Sequence, residues 1–175
     1  MRARFITAAS YLLLILGAFA LLARPLQAQT VSEFVAEHPD VSTFFTLANA
    51  TLLREAETLS TSRTLVTVFA PDNTAFRRLP ARVTRKLHQN HTLLNDVLLY
   101  HVTLGNLTKP ELIVRRRFRA HTLYDNQTIL IRASSRVITV NGLRVVKPGF
   151  PFDLGTVYTI DGVLVPPSLT REILG

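Results

Sequence analysis

A chain of 175 residues has the length of one ordinary domain and is too short for two well-cored domains behind an export segment. Hydrophobic residues make up 47% and charged residues 18%, which excludes wholesale disorder and leaves ample apolar side chain for a core. The formal net charge is +8 and there is no cysteine, so disulfides and every thiolate-based metal, redox or nucleophile chemistry are excluded.

The N-terminal stretch reads as an export signal over residues 1–28. Arg2 and Arg4 precede an apolar run from Phe5 to Ala23, Pro25 breaks it, and small Ala28 offers a cleavage point. Loss of this segment removes Arg2, Arg4 and Arg24 and leaves a mature chain of net charge +5. Four acceptor triplets for N-linked glycan follow, at Asn49, Asn90, Asn106 and Asn126, and together they fit a eukaryotic secretory route. A secreted, extracellular glycoprotein is the expectation.

Thr30-Val31-Ser32-Glu33 has capping-box spacing, and Asp40 after Pro39 is a second N-cap candidate, so a short helix and a longer one are predicted. Val41, Phe44, Phe45, Ala48 and Leu52 form the longer one's apolar face. Leu65 to Ala70 is β-branched and suits a strand covered on both faces, with Asp72 or Asn73 capping a turn of helix that carries Phe76. A further helix is predicted from about Thr92 to His101. Four strand-like runs then follow, at 128–131, 137–140, 143–146 and 157–160. Asn141-Gly142 is a type I′ hairpin signal and Asp161-Gly162 a second tight turn. Helices gathered early and strands late give an α+β fold.

Three segments resemble the fasciclin domain. Thr67 to Phe76 is similar to the family's first signature, Leu98-Leu99-Tyr100-His101-Val102 to its central Tyr-His motif, and Val140-Asn141-Gly142 with Val157 to Leu164 to its closing signature. The resemblance spans 31–167, leaves 168–175 as a short tail, and implies a β-sandwich-like core with helices packed around one side. It also implies an extracellular, noncatalytic role in adhesion to cell-surface, matrix or cell-wall components, with Tyr100 and His101 as adhesion-motif candidates. Read from the residues alone, both are simply buried groups with hydrogen-bonded polar tips. The Asp-Ile pair linked to integrin binding in several animal members falls here on Gly149 and Phe150, so integrin recognition is not expected.

Little else in the chain carries chemistry. His88 and His91 have the spacing of two ligands on one helix face, but no nearby carboxylate completes a metal site. Glu55, Glu57, Asp96 and Asp125 are scattered, no nucleophile elbow or phosphate loop occurs, and no catalytic residue, metal or cofactor is assigned. Arg115, Arg116, Arg117 and Arg119 form the densest charge run, a candidate contact for acidic polysaccharide. Nucleic acid is an improbable partner for an exported chain. The alternative function is a water-soluble carrier of a hydrophobic small molecule such as a carotenoid, because the layout is similar to the astaxanthin-binding fasciclin proteins of green microalgae. That reading needs an apolar groove between helices and sheet.

Overall fold

In the computed structural model, residues 30–51, 62 and 64–174 are described, so the export segment and Glu55 and Glu57 lie outside them. Helix α1, Val31–Glu37, starts at the predicted capping box: the Thr30 hydroxyl accepts from the Glu33 amide, and the Glu33 carboxylate accepts from the Thr30 amide at 3.0 Å. A 3-10 turn, Pro39–Val41, leads into α2, Ser42–Thr51. Asp40 does not cap α2 and instead pairs with Lys147 at 2.7 Å. Capping comes from Asn73, whose Oδ1 accepts from the Thr43 amide at 3.0 Å while its Nδ2 donates to the Pro39 carbonyl.

Strand β1, Val66–Pro71, is buried along its whole length, and Asp72 Oδ1 accepts from the Ala75 amide to cap α3, Asn73–Arg77. Two helices follow where one was predicted: α4, Ala81–Gln89, and α5, His91–Leu99, separated by Asn90, whose side chain caps α5. Strand β2, Val102–Leu104, and helix α6, Lys109–Arg115, complete the first half. The arginine run continues out of α6 into strand β3, Arg117–His121. β4, Thr128–Ala133, β5, Ile138–Val140, β6, Leu143–Phe152, and β7, Gly155–Ile160, are the four predicted runs, some of them longer. Asn141 and Gly142 both have positive φ, as the type I′ turn between β5 and β6 requires. Gly162 does not. Its lack of a side chain serves close packing, since a Cβ there would lie 2.6 Å from Leu143.

The strands form one sheet in the order β2-β1-β7-β6-β5-β4-β3, with β1 and β7 parallel and every other pair antiparallel. An antiparallel bridge from Thr103 to Thr122 brings the two ends of the sheet together, so it curls into a nearly closed barrel whose walls face each other as in a sandwich. The architecture is α+β, as predicted. Alternation along β1 divides the core. Val66, Val68 and Ala70 face the helices, packing with Phe34, Phe44, Val97 and Ile173, while Phe69 turns into the barrel with Tyr158, Ile129 and Ile131. The residues read as a C-terminal tail belong to the domain: α7, Thr170–Leu174, buries Ile173 in the helical core, and Lys86 and Arg82 of α4 donate to the carbonyls of Glu172 and Leu174.

Candidate functional site

Tyr100 and His101 follow α5 directly, where the chain turns into β2, and both are wholly buried. His101 Nδ1 lies 2.7 Å from the Val97 carbonyl, and Nε2 accepts from the Leu164 amide at 2.9 Å. A neutral ring with its proton on Nδ1 satisfies both contacts at once. Burial pushes the imidazole down to a pKa of about 4, partly opposed by the bond to Val97. A ring so enclosed is spent on holding α5 to the segment after β7, and has no free nitrogen for proton transfer or a ligand.

The Tyr100 ring fills the barrel, and its hydroxyl lies beneath one rim. There it donates to the Thr128 carbonyl at 3.2 Å and accepts from Asn141 Nδ2 at 3.0 Å. Burial raises its pKa, while the bond from Asn141 and the charge of Arg119 pull it back. Asn141 in turn accepts from the Leu130 amide through Oδ1 at 2.8 Å. Tyr100 therefore positions the end of β4 against the β5–β6 turn.

The arginine run does not form a single patch. Arg115 ends α6, reaches Glu111 at 3.7 Å and lies 4.5 Å over the Phe118 ring. Arg116 is the C-cap of α6, with φ of 57°. Arg117 and Arg119 occupy alternate, exposed positions of β3 and so share one side of the sheet. Strand register adds partners that the linear sequence hides: Arg117 pairs with Arg132, Arg132 with Thr139, and Thr139 with Arg144. Three arginines and a threonine thus run in a row across the outer face of β3 to β6. Among the described residues, no carboxylate forms an ion pair with Arg117, Arg119, Arg132 or Arg144. Between Glu111 and Asp153 the chain has one acid, Asp125, against eight Lys and Arg residues, and a further carboxylate, that of Asp161, lies at the Arg144 end of the row, where it accepts from the Arg144 backbone amide at 2.8 Å.

Where the row meets the barrel rim there is a cleft of about 410 Å³, lined by Tyr100, Arg119, Thr128, Leu130, Arg132 and Asn141 among others. It unites one residue of the Tyr-His motif with one of the arginine run, which the sequence presents as separate candidates. Arg132 and Arg144 were missed there. Their signal was the Asn141-Gly142 turn, which sets the β5–β6 register, and the alternation of β3 and β4.

Other candidates disperse. His88 lies in α4 and His91 in α5, both exposed, so no single helix face carries the pair. Asn49, Asn90 and Asn126 are exposed, whereas Asn106 is half-buried and its Oδ1 accepts from the Thr156 hydroxyl at 2.6 Å. Gly149 lies in the irregular part of β6, where a Cβ would come within 2.6 Å of Tyr158 and Thr156, and Phe150 packs on His38. This packing leaves no room for a carboxylate at position 149. An apolar crevice of about 110 Å³ lies between helices, lined by Leu47, Phe76, Leu79, Leu87 and Leu94 among others. No helix among the described residues is long and apolar enough to cross a membrane.

Residues 39–166 match the family described as the fasciclin domain. The chain is 38% identical over 102 residues to the immunogenic protein MPB70 of Mycobacterium bovis, covering 58% of this chain and 50% of that one. It is 33% identical over the same length to the cell surface glycolipoprotein MPB83 of that species, covering 58% and 44%. Against human periostin it is 31% identical over 145 residues, 82% of this chain and 17% of periostin. The chain thus spans half or less of the length of these relatives. Among solved structures, a FAS1 domain pair from the insect cell adhesion molecule fasciclin I shares the fold, with a TM-score of 0.61 at 20% identity over 73% of this chain and 46% of that one.

Proposed function

This chain belongs to the fasciclin domain family, and from that premise we propose that it is a noncatalytic, extracellular interaction module that adheres to acidic cell-surface or wall polysaccharide. The observation that carries this reading is the division of labour between the two candidate sites. The Tyr-His pair is buried with its polar atoms engaged, while Arg117 and Arg119 stand exposed with no carboxylate partner among the described residues. The similarity to a cell surface glycolipoprotein and to a cell adhesion molecule supports an extracellular setting. Export by the 1–28 segment and glycan on the acceptor asparagines belong to the same proposal. N-terminal sequencing of native protein should begin close to Gln29, and an intact Met1 would defeat the export reading.

The carrier reading gains no support from the helical crevice, because about 110 Å³ is well below the ~300 Å³ at which small-molecule pockets begin. A visible absorption band in native protein would reverse that judgement. The direct test of adhesion is retention of the intact protein on immobilised polygalacturonate or heparin against neutral dextran. Exposed charges act over about 8 Å at physiological salt, so the protein should be held by the acidic matrices and released as salt rises. Flow-through on both acidic matrices at low salt would defeat the proposal.

A further inference from the structure

We propose that the cleft beside Tyr100 seats an anionic sugar unit, its carboxylate or sulfate gripped between Arg119 and Arg132, while the rest of the glycan runs over Arg117 and Arg144. This rests on the adhesion reading above and gives it a location, a chemistry and two residues that the linear sequence did not single out.

Register is the first argument. Arg119 pairs with Leu130 and Arg132 with Arg117, so Arg119 and Arg132 are diagonal neighbours on adjacent strands of one exposed face. Such diagonals separate the backbones by about 7–8 Å, and two guanidinium groups on long side chains can close on one anion between them. Each guanidinium presents a planar fork of N–H donors that matches a carboxylate or sulfate, which a point charge does not.

The second argument is the cleft's shape and lining. At about 410 Å³ it falls within the range of small-ligand sites. Its lining combines the two charges with polar groups already held in place. Arg119 Nη1 donates to the Thr128 hydroxyl at 3.4 Å, and the Tyr100–Asn141 bond fixes the floor. Leu130 supplies an apolar patch of the kind that packs on the C–H face of a sugar ring. A pre-positioned, mixed lining suits a saccharide better than a small inorganic anion.

Spacing is the third. Adjacent strands lie about 4.8 Å apart, so the row of Arg117, Arg132, Thr139 and Arg144 offers cations at one and then two strand spacings with a hydroxyl between. A polyanionic chain lying across the strands therefore meets a cation on each of β3, β4 and β6. A flat bilayer of anionic lipid needs neither the cleft nor this order.

The test is equilibrium binding of the full chain to an oligogalacturonate, a heparin-derived oligosaccharide and phosphatidylserine vesicles, with thermal melts confirming that each variant folds. In the R119Q/R132Q double variant, affinity for the better oligosaccharide should fall at least about tenfold, and the slope of log affinity against log salt should drop by about 1.5. R78Q/R85Q, which removes two exposed charges from the helical side, should stay within about twofold of the parent chain. R119K/R132K should keep most of the salt slope and still lose affinity, because Lys holds charge without the fork. Preference for the carboxylated or the sulfated probe names the source of the anion, and either supports the cleft. Equal losses in R119Q/R132Q and R78Q/R85Q would reduce the effect to bulk charge and overturn the proposal, as would full binding by the lysine variant. Binding confined to vesicles would overturn the glycan assignment. A parent chain that ignores both oligosaccharides would fell the adhesion reading itself, whereas a binding parent with unaffected variants fells only the cleft.

Discussion

His101 is the residue whose physical state most affects the molecule. Its folded pKa of about 4 lies below the ordinary value of 6.5, so on acidification the unfolded chain takes up a proton before the folded one does. Its contribution to stability is therefore complete above pH 6.5, declines as pH falls from 6.5 towards 4, and is gone below that. Each pH unit in that window costs up to ~1.4 kcal/mol, or about 3 kcal/mol in all. Melting temperatures between pH 4 and 7.5 should show this slope, and His101→Gln should flatten it. His101→Ala should cost about 3 kcal/mol at pH 7 by stranding the Val97 carbonyl and the Leu164 amide and leaving a cavity beside Phe44, and denaturant titration measures it. Arg116 presents the opposite case. Its φ of 57° and ψ of −57° fall outside the regions a side chain prefers, and the residue is exposed. Arg116→Gly should raise stability by about 0.5–1 kcal/mol, and a lower melting temperature would refute that.

At the scale of elements, the pairing of β1 with β7 depends on a single glycine. Gly155 has φ of 139°, and a Cβ there would sit 1.9 Å from the Val66 carbonyl oxygen, inside the parallel ladder. Gly155→Ala should destabilise by at least about 3 kcal/mol, because backbone of the neighbouring strand and not a flexible side chain must move. Elements with a strong local signal were legible in the sequence. The Thr30–Glu33 box, the Asp72 cap, β1 and the Asn141-Gly142 turn needed no tertiary information. Elements whose pattern conflicts with their structure were not. Helix α4 starts after Pro80 with no side-chain cap, β2 is three residues long, and the Arg-Phe-Arg-Ala alternation of β3 sits inside a basic run that reads first as a charge cluster. Asp40 has the local spacing of a cap, but Lys147 lies far along the chain and competes for its carboxylate.

Over the whole molecule, the α+β layout and the family were legible in the residues, but the site needed the closed sheet. Arg132 and Arg144 lie 13 and 25 positions beyond Arg119, and only strand register sets them in one row. Tyr100 and Arg119 share a cleft because the sheet curls. Glycan should follow the same geometry, with peptide mapping finding it on exposed Asn49, Asn90 and Asn126 and not on half-buried Asn106. The topology also bears on how such a module carries load. The first strand and the last are neighbours and run parallel, with six residue pairs in register from Val66–Gly155 to Pro71–Ile160. Tension entering before β1 and leaving after β7 slides the two strands along each other, so their slanted hydrogen bonds resist together and cannot unzip in succession. A molecule anchored on one side and gripping a polymer on the other would meet pulling in the direction where its sheet yields last.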